Sequence, residues 1–180
     1  MAIQIVDGRN KTFGFRTARD MFRKLQWERE QASNAVGNEH ERYFALNMAW
    51  TAFHTLDWIA ADLIDVGRYA EASVACGWIA KDDTFESKVK AFKAWARSEN
   101  PFLLMCANTA NASKHRNLLH SLDTFEAYSV ETSFDPEHTH HTNYFSLKSD
   151  TLNQDFGVNW VGHHVVDWIQ KFLDEWLPEK

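Results

Sequence analysis

Apolar positions recur at helical spacing through most of this chain and switch to a strand-like pattern only over short stretches. Thr17 is placed to cap a helix running to about Ala35, with Met21, Leu25 and Ala32 on its apolar stripe and Gly37-Asn38 closing it. From Glu39 to about Val66, at about 100° per residue, Tyr43, Leu46, Trp50, Phe53, Ala61 and Ile64 share one broad side. Ala45, Ala49, Leu56, Ile59 and Leu63 make the opposite side apolar too. A helix that is apolar nearly all round is a central one. Gly67 ends it, and a shorter helix is predicted over Tyr69 to Ala80, weakened by Gly77. Asp83 and Glu86 have capping-box spacing, so a helix starts there and runs to about Ser98 with Phe85, Val89, Phe92 and Ala96 inward. Asn100-Pro101 reads as a cap followed by proline at the first helical position of a helix to about Leu119. The segments 39–66 and 101–119 are expected to be the two most buried helices.

After His120 the pattern changes. Thr124 to Ser133 and Thr142 to Ser149 are rich in Thr, Tyr, Phe and Val around the turn signal Asp135-Pro136. An antiparallel hairpin within 122–149 follows. A last helix, about Trp160 to Trp176, carries Val161, Val165, Trp168, Phe172 and Trp176 on one stripe. Residues 1–15 read as an extended arm or small hairpin around Asp7-Gly8. No linker or repeat divides the chain, so 1–180 is expected to be one mainly α domain: a helical bundle with a β-hairpin inserted before the C-terminal helix.

Composition narrows the class without naming a function. At 180 residues, 44% hydrophobic and 24% charged, the chain reads as globular, with no apolar run near the roughly 18 residues of a membrane span. Met1 to Asn10 lacks a signal-peptide layout, so a cytoplasmic protein is expected, with Cys76 and Cys106 as reduced core residues. A net charge of −6 argues against general coating of nucleic acid but leaves room for a local basic patch. Eight Trp and thirteen Phe are many for one small interior, and the surplus predicts a two-fold homodimer.

Two constellations carry candidate chemistry. On the helix from Pro101, Asn108, Asn111 and His115 project from a face shared with Leu104, Ala107 and Leu118, and Lys114 and Arg116 flank it. Buried amides and imidazoles need partners, so these residues form either a site or a register-fixing hydrogen-bond network. The adjacent cations favour neutral His115, suited to act as base or ligand. On the earlier central helix, Asn47, Thr51, His54 and Trp58 recur at helical spacing, and Asp57 is placed to orient His54 or share a metal with it; a satisfied interior histidine is the plainer alternative. If the two helices face each other, Asn47, His54, Asn111 and His115 converge on one pocket. Lys90, Lys93 and Arg97 form a basic stripe, a phosphate footprint or simply a wet face. His138, His140 and His141 cluster in the hairpin turn, where a solvated turn is the plainer reading than a metal site. No zinc, P-loop, dinucleotide or nucleophile-elbow motif occurs, and no metal or other cofactor is expected. His54-Thr-Leu-Asp-Trp-Ile59 is echoed by His164-Val-Val-Asp-Trp-Ile169, a six-residue likeness that chance accounts for better than duplication.

Asn111-Ala-Ser-Lys-His115, followed by a hairpin and a Trp-ended helix, resembles the Asn-x-x-Lys-His motif of a group of small bacterial and phage helical proteins, and Trp50 to Trp58 is similar to their earlier helix. That resemblance implies a layout over about residues 17 to 178 and no activity. Arg116-Asn-Leu-Leu-His120 resembles the Arg-x4–6-His motif of the HEPN superfamily, which includes metal-independent ribonucleases of toxin and antiphage systems, with one intervening residue fewer. The resemblance implies RNA as substrate, His120 as acid–base group at the ribose 2′-hydroxyl or leaving oxygen, and Arg116 as stabiliser of phosphorane charge. The alternatives are a non-catalytic helical protein that dimerises or docks on a protein partner, and a small-molecule or metal pocket between the central helices.

Overall fold

A computed structural model describes residues 14–34, 38–114, 127–132, 142–149 and 154–179. Among the described residues, six helices and a three-stranded antiparallel sheet follow in the order α1 (Ala18–Asn34), α2 (Asn38–Asp65), α3 (Tyr69–Cys76), α4 (Phe85–Glu99), α5 (Pro101–Lys114), β1 (Ala127–Thr132), β2 (Thr142–Ser149), β3 (Gln154–Gly157) and α6 (Val158–Trp176). The protein is mainly α, a helical bundle, as its periodicity predicts.

The punctuation residues act as their chemistry requires. Thr17 Oγ1 accepts from the Asp20 amide at 3.2 Å while Asp20 Oδ2 accepts from the Thr17 amide at 3.0 Å, a reciprocal capping box. The next free amide of α1, Ala18, donates to Asp62 of α2 at 2.7 Å, which ties the two helices at that end. Gly77 closes α3 in the left-handed region at φ 86°, so that helix stops at Cys76 rather than reaching Ala80. The cap of α4 is Thr84, which accepts from the Ser87 amide; Asp82, not Asp83, anchors the turn by accepting from the Thr84 amide and hydroxyl. Asn100 Oδ1 accepts from the Phe102 amide at 2.9 Å, the predicted cap before Pro101.

α2 runs through the centre, with Met48, Ala52, Leu56, Ile59, Ala60 and Leu63 all buried and with α1, α4, α5 and α6 packed around it. The expectation of two dominant buried helices needs a third. α6 buries Val158, Val161, Val165, Val166, Ile169, Phe172, Leu173 and Trp176. Its approach to α1 and α2 depends on Gly162, where an added Cβ would lie 2.6 Å from Met48 Sδ and 3.1 Å from Arg29 Cγ. The C-terminal carbonyls of α6 are taken by arginines: Arg68 donates to Trp176 O at 2.8 Å and Arg19 to Leu177 O at 3.1 Å.

Part of the aromatic surplus is spent inside. Trp78, Phe92, Trp95, Trp168 and Phe172 form one connected group with ring centroids 4.6 to 5.8 Å apart along the Trp78–Trp95, Trp95–Trp168 and Phe92–Trp95 contacts. Trp27, Tyr43, Phe85 and Trp160 stand more than half exposed. Phe85, expected inward on α4, is the first residue of the helix and stands 58% exposed, while Phe92 and Ala96 farther along the same stripe are buried.

β1 pairs with β2 in antiparallel register, Val130 opposite Tyr144, as the predicted hairpin requires. The sequence pattern did not single out β3, which extends the sheet by pairing Leu147 of β2 with Phe156. The Asp135-Pro136 turn and the arm of residues 1–13 lie outside the described residues.

Candidate functional site

His54 and Asp57 sit one turn apart on α2, and the fold turns them toward α4. His54 Nδ1 and Asp57 Oδ2 are 3.3 Å apart, and Lys93 of α4 donates from Nζ to Asp57 Oδ1 at 2.7 Å. Asp57 accepts a hydrogen bond from each neighbour, so in the neutral imidazole of His54 the hydrogen sits on Nδ1 and Nε2 is the acceptor. The Lys93 ammonium also lies 3.7 Å from the centroid of the Phe53 ring, a cation–π contact that holds its four-carbon stem in place. His54 remains 46% exposed, so solvent and solutes reach the imidazole.

Burial of Asp57 pushes its carboxyl up, but the hydrogen bonds from His54 and Lys93 and the Lys93 charge outweigh this and hold it below the usual carboxylate range. A carboxyl held low in the folded state favours folding above its unfolded pKa of about 3.9. That contribution is lost as pH falls through the lowered folded value. Urea denaturation of the wild type and Asp57→Asn over a pH series is expected to show a stability difference that narrows below about pH 4.

The structure redistributes the sequence candidates. Lys93, read as part of a basic stripe, is mostly buried and committed to Asp57. Lys90 is exposed one turn earlier, and Arg97, one turn later, donates from Nε to the Lys93 carbonyl at 3.0 Å. Asn47 is exposed on α2, two turns before His54. Thr51, on the same stripe, faces inward and accepts from Lys24 of α1. Asn108 is buried on α5 and Asn111 half-buried. His115, Arg116 and His120 lie outside the described residues, as do the Lys114 side chain and His138, His140 and His141. α2 and α5 pack against each other, and the contacts of the Asn111–His115 end lie beyond the described set.

The echo between α2 and α6 has no counterpart in geometry. Asp167 pairs with His163 at 3.2 Å, whereas His164 stacks on Phe102 with centroids 4.9 Å apart. Lys93 occupies Asp57 Oδ1, and among the described residues no group of three or more His, Cys, Asp or Glu side chains is arranged to hold a metal ion. Cys106 is buried, and burial pushes its thiol up to about 12; Cys76 is half-buried, and both are free thiols. Among the described residues no helix is long and apolar enough to cross a membrane.

The Lys93–Asp57 contact was not legible in the chain. The two residues are 36 positions apart, and only the packing of α4 on α2 brings them together. Comparison with protein-family models, with curated proteins and with solved structures finds no match for this chain.

Proposed function

We propose that this protein binds RNA along the α2–α4 face and acts as a metal-independent ribonuclease of HEPN-like type. The observation that carries this reading is the solvent-reached His54, oriented by Asp57, which Lys93 in turn holds in place. An imidazole with Nδ1–H tied to a carboxylate presents Nε2 as a base. In the reaction Nε2 takes the proton of a ribose 2′-hydroxyl, and the alkoxide attacks the adjacent phosphorus. The P–O5′ bond breaks, leaving a 2′,3′-cyclic phosphate and a 5′-hydroxyl whose proton comes from an acid. Lys90 and Arg97 flank Lys93 along α4 and supply cations for the phosphate. Arg116 and His120, with Asn111 and His115 before them, are the residues the resemblance assigns to charge stabilisation and acid–base work. A second reading, a non-catalytic interaction protein, rests on the exposed aliphatic edge of α3.

The test is cleavage of a fluorescently labelled single-stranded RNA in excess chelator, with product ends identified by mass. Cyclic-phosphate ends are expected from the wild type, and His54→Ala and His120→Ala are each expected to lose about 100-fold or more in rate. An intact RNA with the wild type, or His54→Ala as active as the wild type, overturns the proposal.

A further inference from the structure

Among the described residues, two histidines are paired with a carboxylate about one helical turn further on, and they are tied by opposite ring nitrogens. His163 of α6 meets Asp167 through Nε2 at 3.2 Å and so commits its outer nitrogen. His54 meets Asp57 through Nδ1 at 3.3 Å. Its Nε2, the nitrogen farther from the backbone, keeps its lone pair on a half-exposed ring. His54 also stands near the middle of a 28-residue helix, on a rigid base rather than on a loop.

The charges around this lone pair suit attack on an anionic electrophile. An aspartate beside an imidazole repels phosphate, but the Lys93 ammonium at 2.7 Å balances Asp57. The Phe53 ring holds Lys93 in that position, 3.7 Å from its centroid, and lies 5.7 Å from the His54 ring. Lys90 and Arg97, one turn before and after Lys93, add positive charge along α4. When Nε2 bonds to phosphorus the ring becomes cationic, and Asp57 already faces the Nδ1–H that shares this charge. The His54, Asp57 and Lys93 group thus passes from neutral to singly positive as a dianionic group arrives.

From this geometry we infer that His54 is a phosphoryl acceptor, whose Nε2 takes a phosphoryl group from an acyl phosphate and holds it as N-phosphohistidine. The Nε2 lone pair attacks phosphorus and forms the N–P bond. The P–O bond to the acyl group breaks, and its electron pair leaves with the carboxylate. The hydrogen stays on Nδ1, against Asp57. Cleavage of RNA needs an acid as well as a base, whereas this transfer needs one nucleophile, which the described residues supply. His54 acts here as nucleophile rather than base, independently of the RNA reading.

The test is incubation of the full chain with acetyl phosphate, followed by digestion at alkaline pH and mass spectrometry of the peptides. A gain of one phosphoryl group on His54 is expected, lost in mild acid and kept in alkali as N–P bonds are. Exposed His40, in the first turn of α2, and His163 serve as comparisons within the same molecule. His54 is expected to be labelled about tenfold or more faster than either, the rate equivalent of one charge-assisted hydrogen bond. Asp57→Asn, shown to be folded by circular dichroism, is expected to bring His54 down to the rate of His40. The assay contains no RNA, so a failure to cleave RNA does not bear on it. An unlabelled His54 overturns the inference, as does labelling of His40 or His163 at the His54 rate. A folded Asp57→Asn labelled like the wild type overturns it too.

Discussion

Lys24→Met is expected to cost about 1–3 kcal/mol of folding stability, the range for leaving a buried acceptor without its partner, since the Lys24 side chain is itself 34% exposed and only Glu28 is buried. Glu28 is only 3% exposed, at the α1–α2 interface, and its Oε1 is held by the Lys24 ammonium, which also donates to the buried Thr51 hydroxyl. Among the described residues Glu28 Oε2 has no hydrogen-bond partner. Methionine keeps the length of the lysine stem but removes the charge, so the Glu28 carboxylate is left in the core without compensation. Combining Lys24→Met with Glu28→Leu removes the pair together, and the double variant is expected to recover most of the loss because apolar packing replaces two desolvated charges. Urea denaturation of the four proteins in the cycle measures the coupling. A Lys24→Met loss below about 0.5 kcal/mol, the ordinary range for surface changes, shows that the pair contributes nothing.

The second large effect is expected at Trp78. Its ring is buried and contacts Tyr69 at 5.9 Å, Phe92 at 5.3 Å, Trp95 at 4.6 Å and Phe172 at 6.3 Å between centroids. It is the one side chain of the α3–α4 connection that reaches α3, α4 and α6 together. Trp78→Ala is expected to cost about 3–5 kcal/mol through lost burial and the cavity left behind. Trp78→Phe retains part of the aromatic contact area and is expected to cost less. The urea midpoint reads both, and an unchanged slope shows that the loss is one of stability rather than of compactness. An Ala variant within about 1 kcal/mol of the wild type means that the connection repacks around the gap.

What was legible in the chain was local. Thr17, Gly77 and Asn100-Pro101 act within one helical turn of themselves, so each reads directly from its neighbours. The apolar wheel of α2 indicated a central helix, but only the side with Ala45, Met48, Ala52, Leu56, Ile59 and Leu63 is buried, while Tyr43, Asn47 and His54 on the other side reach solvent. Asp83–Glu86 misled by one residue because Asp82 and Thr84 offer the same capping chemistry, and the choice depends on which side chain meets the Ser87 amide. His54 and Asp57 were legible as a pair at one-turn spacing. Lys93 reads from its cationic stripe as part of a phosphate footprint or a wet face, yet the length of its side chain lets it bridge to α2 over the Phe53 ring. Lys24–Glu28 has the same character: an ordinary i,i+4 pair by spacing, of which Glu28 is buried while Lys24 stays partly exposed and reaches Thr51 of α2.

The connected rings of Trp78, Trp95 and Trp168 also give the fold an optical identity. Indoles with centroids 4.6 and 5.7 Å apart share excitation, so the three act as one chromophore whose dichroic bands depend on their mutual angles. They come from the α3–α4 connection, α4 and α6, three pieces that no single local opening leaves in register. Near-ultraviolet dichroism of this protein therefore reports the docking of those pieces on one another, while the far-ultraviolet signal is dominated by their helicity.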